Sequence, residues 1–266
     1  EGRGEQTLAT DQDNAIVFTP TPDQPLDVQR ARLVAFAKRI NDALAGCGFP
    51  LCKGGVMASN PNWCASVAEW RSMFSAWIDR PEAPALLNAA IFFDFRPLFG
   101  AVTLAAELRG WLARYCRNNA VFLRLMADNA LRNEPPLGVV REFAVETHGA
   151  TKDAIDLKRN CITPFVDAAR ILALAAGETA TGTAQRFRSL VEHRRLFESE
   201  VNAWVEAFEF VQRLRLRHQH AQWRRGETLD NFLQPDQLNE LDRRILKEAL
   251  RQARKAQQRL RLDYRL

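Results

Sequence analysis

Asp11 and Asp13 stand in the run Thr10-Asp-Gln-Asp-Asn14, just ahead of an apolar stretch with β-branched residues, Ala15 to Phe18. Two-residue spacing on an extended chain puts both carboxylates on one face, about 6–7 Å apart along the strand. Carboxylates held that close repel unless a cation sits between them. Magnesium, or manganese in its place, suits such a site, because it prefers a few carboxylates together with phosphate oxygens and water. A third acidic group on a neighbouring strand would complete a two-metal clamp for in-line attack on a phosphate. Asp94 is the candidate. It sits in Ile91-Phe-Phe-Asp-Phe95, which reads as a strand where an unpaired carboxylate would be costly to bury. Gly2-Arg3-Gly4 lies nine residues before Asp11 and offers backbone amides that can approach phosphate. Without these two features, the Asp-x-Asp pair reads as turn and cap chemistry ahead of a strand.

The elements that must position these groups follow from hydrophobic period and from breakers. Ala15–Phe18 reads as a buried strand closed by the Thr-Pro-Thr-Pro of 19–22. From Leu26 to Leu44 apolar residues recur at spacings of three and four, which predicts an amphipathic helix stopped by Gly46 and Gly48. Phe49 to Lys53 is a short strand candidate, and Gly54-Gly55 demands a special turn. Asn60-Pro61-Asn62 precedes a helical stretch carrying Trp63, Val67, Trp70, Phe74, Trp77 and Ile78. The seven-residue spacing of its tryptophans marks a core stripe rather than a base-stacking platform. Helical periodicity returns over Val102–Leu112 and Ala120–Leu131. Pro135-Pro136-Leu137-Gly138 is the candidate linker. No convincing strand follows it. Pro164 opens a helix to Ala176 stopped by Gly177, Thr183–His193 and Leu196–Trp223 read as helices, Gly226–Pro235 as a loop, and Asp236–Leu262 as a long basic helix. The expected class is α+β: a small mixed-sheet domain over 1–134 followed by an all-helical bundle over 135–266.

Composition excludes several classes. The 266 residues are 47% hydrophobic and 26% charged, which is globular rather than disordered. No run of about 18 apolar residues exists to span a membrane. No signal peptide opens the chain, and its abrupt Gly-rich start predicts a fragment whose upstream part is missing. Five scattered cysteines with no Cys-x-x-Cys pair argue against zinc and for reduced thiols in a cytoplasmic protein. The net charge of +5 is concentrated at the C-terminal end, where residues 211–266 carry 14 Lys or Arg against 7 Asp or Glu. That end reads either as a solvated helix face or as a surface for nucleotide phosphates, nucleic acid or an acidic protein.

The run Glu1-Gly-Arg-Gly-Glu-Gln-Thr-Leu-Ala-Thr-Asp-Gln-Asp-Asn-Ala15 resembles nucleotidyltransferases of the DNA polymerase β superfamily, in which a Gly-Ser or Gly-Gly pair precedes an Asp-x-Asp pair and a later third carboxylate. It looks closest to the DUF294 branch and is similar to the uridylyltransferase that modifies PII nitrogen-signalling proteins. Cys52-Lys-Gly-Gly-Val-Met-Ala58, Asn60-Pro-Asn-Trp63 and Phe92-Phe-Asp-Phe-Arg96 carry the same resemblance. Ile155-Asp-Leu-Lys158, Ala169-Arg170 and Leu214-Arg-Leu-Arg-His-Gln219 resemble that branch's helical substrate-binding domain. The resemblance implies that Asp11, Asp13 and Asp94 hold the catalytic metals, with Asp94 polarising the attacking group or sharing a metal. It implies that Gly2, Arg3 and Gly4 form the loop that approaches the triphosphate. The Gly-Ser pair itself would lie before Glu1.

Arg96 reads as a phosphate contact or as the partner of Asp94 or Asp11. Lys158 and Arg170 are weaker substrate candidates, weighed against surface charge pairing for Lys158 and a buried ion pair for Arg170. His218 and His220 point to different faces of a helix and are no metal pair. The expected activity is metal-dependent transfer of a nucleoside monophosphate from a nucleoside triphosphate to an acceptor hydroxyl. By the resemblance, the acceptor is a protein tyrosine of a PII-like signal protein, in signal transduction. The alternatives are a nucleotide-sensing regulatory module without turnover, preceded in the full chain by cyclic-nucleotide-binding and CBS modules, and a nucleic-acid-binding protein.

Overall fold

The computed structural model describes residues 2–138, 143–148, 151–193 and 195–266, so Glu1, the first residue of the predicted motif, lies outside the described residues. The chain divides into two compact units. The first comprises Glu1–Gln6 and Thr10–Tyr115, and the second comprises Thr7–Ala9 and Cys116–Leu266. The class is α+β, as expected from the sequence.

In the first unit, β1 (Ile16–Phe18) pairs in parallel with β2 (Cys64–Ser66), with Ile16 opposite Cys64 and Phe18 opposite Ser66. A parallel pair needs a crossover, and α1 (Leu26–Gly46) lies within it. Ser66 ends β2 and caps α2 (Val67–Asp79) with a capping box: the Glu69 amide donates to Ser66 Oγ at 3.3 Å, and the Ser66 amide donates to the Glu69 carboxylate at 2.8 Å. Trp70 on α2 donates its indole N–H to the Ile16 carbonyl at 3.0 Å, which ties the helix to β1. The rings of Trp63, Trp70, Phe74, Trp77, Phe92 and Phe93 pack together, so the tryptophan stripe is core, as its spacing predicted.

Four local expectations differ from the structure. Phe49–Lys53 forms no strand, although the Pro50 carbonyl accepts a hydrogen bond from the Gln12 amide at 3.0 Å. Ile91–Phe95 is not a strand either. Pro84 opens α3 (Ala83–Phe92), and Asp94 falls in the turn after it. The helix wins because Ala85, Ala89 and Phe92 bury one face at spacings of four and three, a stripe that begins upstream of the run. On α1 only Ala37 and Asn41 are buried, and Phe36 and Ile40 are exposed. The division also falls at Tyr115, ahead of Pro135–Gly138, because α5 (Ala120–Leu131) packs Phe122, Leu123 and Met126 with the second unit's helices. Helix α4 (Val102–Arg117) precedes it.

The second unit is built around α6 (Thr163–Ala176), which is buried on nearly every side from Pro164 to Leu174 and touches α5, α7 (Thr183–Glu192) and α9 (Glu240–Tyr264). Gly177 stops α6 in the left-handed region at φ 80°, as the sequence predicted. Helix α8 (Glu198–Arg224) packs against α9, whose Leu246, Ala249, Leu250, Ala253, Ala256 and Leu260 form a buried stripe at helical spacing. The unit is not all-helical: β3 (Glu146–His148), β4 (Thr151–Asp156) and β5 (Phe232–Leu233) make an antiparallel sheet in the order β3-β4-β5. These strands are too short for an alternating pattern to stand out. Register shifts between β3 and β4, and Asp153 near that irregularity adopts φ 51°, so period two is interrupted.

Candidate active site

The segment from Asp11 to Asn14 is extended and leads straight into β1. Its backbone is held on both sides of Asp13, since the Gln12 amide donates to the Pro50 carbonyl at 3.0 Å and the Asn14 amide donates to the Val56 carbonyl at 3.1 Å. Asp11 and Asp13 are exposed, whereas Gln12 between them is buried. The two-residue period expected from the sequence is therefore present, with both carboxylates on the outer side.

Gln12 is fixed by an amide network. Its Nε2 donates to the carbonyls of Asn41 at 2.9 Å and Phe49 at 2.8 Å. Its Oε1 accepts from Asn41 Nδ2 at 2.8 Å. Asn41 Nδ2 also donates to Asn14 Oδ1 at 3.1 Å, and the Ala58 amide donates to the same oxygen at 2.8 Å. Asn41 Oδ1 accepts from the Ser59 amide at 3.3 Å. The segment Cys52–Ala58, singled out in the sequence, thus supplies the wall against which Asn14 is seated. Gly55 turns that wall at φ 66°, and its carbonyl accepts from the Trp63 indole at 3.1 Å. Burial pushes the Cys52 thiol up, and the Asp13 carboxylate beside it adds to the rise.

Asp94 is 3% exposed, and its carboxylate is engaged by Arg3, whose Nη1 lies 3.1 Å from Oδ2. Arg3 Nε also binds Glu5 at 2.8 Å. Gly2 lies so close that a Cβ added there would sit 1.3 Å from the Asp94 carbonyl oxygen. The structure therefore brings Gly2, Arg3 and Asp94 together. It does not gather Asp94 with Asp11 and Asp13: among the described residues, no group of three or more His, Cys, Asp or Glu side chains is placed to hold a metal ion. Arg109 also belongs to this region. Its guanidinium lies over the Phe95 ring at 5.1 Å and donates to the Phe95 carbonyl. Burial lowers its pKa, and the nearby Asp94 charge offsets part of that. Gly4 is exposed in the left-handed region at φ 71°, and Arg96 is exposed.

In the second unit, Lys158 is exposed on a π-helical segment, Leu157–Ile162, capped by Asp156 Oδ1, which accepts from the Lys158 and Arg159 amides at 2.9 Å. Arg170 is 3% exposed and pairs with Asp167 one helical turn away, Nη1 to Oδ1 at 2.7 Å. Of the two readings open for Arg170 in the sequence, the buried ion pair is the one seen. On α9, Arg244, Arg251 and Arg259 pair with acids of the same helix, while Arg243 and Arg261 pair with Asp236 and Glu134.

Sequence reasoning missed Gln12, Asn14, Asn41 and Arg109. A signal existed for two of them. The alternation that turns Asp11 and Asp13 outward must turn Gln12 inward. Asn41 falls four residues after Ala37, on the inward stripe of α1.

No curated protein matches the chain. Two family models do. The one described as putative nucleotidyltransferase DUF294 matches residues 1–84, which contain Asp11, Asp13 and their amide network. The one described as putative nucleotidyltransferase substrate binding domain matches residues 120–264, from the first residue of α5 to the last of α9. With more than half of its length matched by the second model alone, the chain belongs to the DUF294 nucleotidyltransferase family.

Proposed function

We propose that this protein transfers a nucleoside monophosphate from a nucleoside triphosphate to an acceptor hydroxyl. The observation that carries the reading is the outward pair Asp11 and Asp13, flanking a buried, fully hydrogen-bonded Gln12 in a chain of this family. In the reaction the acceptor oxygen forms a bond to the α-phosphorus, the bond from that phosphorus to the bridging oxygen breaks, and pyrophosphate leaves. The acceptor proton passes to solvent or a nearby carboxylate.

Two exposed carboxylates on an extended segment are a hard-oxygen donor set, and they fit magnesium or manganese, with phosphate oxygens and water completing the shell. When bound, that cation neutralises charge developing on the phosphate oxygens. Asp11 and Asp13 would hold it. Gly2, Arg3, Gly4 and Arg96 would bind the triphosphate: the first three through amides and a guanidinium beside Asp94, the last as an exposed cation. Asp94, engaged by Arg3, would orient that guanidinium and would share the metal only on release from it. In the second unit, Lys158 is the exposed cation proposed to face the acceptor, and Arg170 is proposed to shape α6. The similarity to PII uridylylation makes a protein tyrosine the proposed acceptor and uridine triphosphate the first donor to try.

The test is incubation with each labelled triphosphate, magnesium and cell extract. A labelled protein band that disappears in Asp11→Asn and Asp13→Asn is expected. Label transfer undiminished in both variants would sink the reading. A second reading, nucleotide sensing without turnover, is favoured by one observation, the Arg3–Asp94 pair that occupies the third carboxylate. Its signature is tight nucleotide binding without pyrophosphate release. The pairing of α9's arginines with carboxylates weakens the nucleic-acid reading, which requires a steep salt dependence of binding.

A further inference from the structure

We infer that Asn41 on α1 is a positioning residue for the proposed metal site, setting the affinity of Asp11 and Asp13 for a divalent cation without touching it. The inference rests on the nucleotidyltransferase reading above. Its basis is that every amide orientation in the network is fixed by a backbone group. The two hydrogens of Gln12 Nε2 are taken by the Asn41 and Phe49 carbonyls, so Gln12 Oε1 must accept. The Ala58 amide makes Asn14 Oδ1 an acceptor, and the Ser59 amide does the same for Asn41 Oδ1. The remaining group, Asn41 Nδ2, is the donor that joins the two acceptors on either side of Asp13, at 2.8 Å to Gln12 and 3.1 Å to Asn14.

Asn41 therefore grips the residue before and the residue after Asp13, and Gln12 is also the residue that separates the two carboxylates. Asn41 is only 2% exposed and lies on the inward face of a helix whose neighbouring face leaves Phe36 and Ile40 in solvent. A buried polar side chain there does not serve apolar packing. Both bonds that its Nδ2 donates go to the one segment that carries the outward carboxylates, while its Oδ1 accepts from the Ser59 amide. Holding that segment extended presents both acids at fixed separation before the cation arrives, so less ordering remains to be done on binding.

Asn41→Asp is the discriminating substitution. It keeps the shape but points an oxygen at two acceptor oxygens, and no flip relieves that, because both carboxylate atoms are acceptors. It also adds a negative charge near the site, which by attraction alone would tighten cation binding. Positioning and charge thus predict opposite signs. The experiment titrates manganese, read by electron paramagnetic resonance, into the full chain in the presence of a nucleoside triphosphate. The expected result is manganese affinity weakened about 5- to 10-fold in Asn41→Asp, measured well below its unfolding temperature. Ala35→Asp, which adds the same charge on an exposed position of α1, binds manganese like the parent protein. If Asn41→Asp does not fold, Asn41→Ala is read in its place and should weaken binding in the same direction. Affinity unchanged or tightened in the folded variant overturns the inference. If the double variant Asp11→Asn, Asp13→Asn also binds manganese normally, the metal site itself is misplaced and the proposed function fails with it. If that double variant loses binding while Asn41 variants keep it, only the role of Asn41 fails.

Discussion

Arg3 Nη1 lies 3.1 Å from Asp94 Oδ2, joining the glycine-rich opening of the chain to the turn that ends α3. Asp94 is the more buried partner at 3% exposure against 24% for Arg3, so removing Arg3 leaves the costlier residue behind. Arg3→Ala and Asp94→Asn should each destabilise the first unit by about 1–3 kcal/mol, with non-additive effects in the double variant. Urea denaturation of the four proteins in the cycle measures the coupling, and additivity within error would show that the pair contributes nothing.

The two glycines that flank Arg3 should respond differently to alanine. At Gly2 the new Cβ would meet the Asp94 carbonyl oxygen at 1.3 Å, so backbone must move. At Gly4 the new Cβ would meet no described atom within 4 Å beyond its chain neighbours, and the cost is only that of a left-handed conformation, about 1–2 kcal/mol. Gly2→Ala should therefore abolish the Arg3–Asp94 coupling, whereas Gly4→Ala should lower stability modestly and leave the coupling intact. Thermal denaturation combined with the double-mutant cycle separates the two outcomes.

Trp70 anchors the strand that follows the carboxylate segment. Trp70→Phe keeps most of the ring contacts with Phe74 and Phe92 but loses the 3.0 Å bond to the Ile16 carbonyl. The expected loss is about 1–3 kcal/mol for a half-buried carbonyl that loses this donor, against about 3–5 kcal/mol for Trp70→Ala. Chemical denaturation checks the ranking. Hydrogen exchange at the amides of Gln12 and Asn14 should quicken in both variants, because their extended segment loses its tether to α2.

Acid should loosen the junction between α8 and β5 through Asp230. Burial alone would raise its pKa, but Gln222, the Phe232 amide and His218 donate to its carboxylate and together hold it below the ordinary value of 3.8. A lowered pKa in the folded state means stability that is present above the unfolded value and lost as pH falls through the folded one. The parent protein should lose stability below about pH 4, and Asp230→Asn should lose less over the same range. Urea midpoints at neutral and acidic pH would show parallel losses if Asp230 contributed nothing.

Thiol labelling should follow burial. Cys47 is exposed, Cys52 is half-buried with its thiol pushed up, and Cys64, Cys116 and Cys161 are buried. Burial drives the thiols of Cys116 and Cys161 far above the ordinary range, which suppresses the thiolate that reacts. A chromogenic disulfide reagent should modify Cys47 quickly and Cys52 slowly, with the other three reacting on unfolding. Rapid reaction of all five in the native protein would contradict this packing.

Local chemistry was legible in the residues themselves. Periodicity placed α1, α4, α5, α6, α8 and α9 and made the tryptophans core, and the two-residue step put Asp11 and Asp13 on one face, because each of these follows from backbone geometry over a few neighbours. The short strands β2 to β5 were not legible, since two to six residues carry too little pattern and their pairing is non-local. Ile91–Phe95 shows the same limit from the other side, an apolar run that β-propensity favours and the preceding helix claims. Tertiary structure alone decided that Asp94 would face Arg3, and that Asn41, 29 positions from Gln12, would grip both neighbours of Asp13. Sequence spacing fixes which side of a strand a carboxylate faces. Which distant donor holds it there depends on how the chain returns, and only the packed fold supplies that.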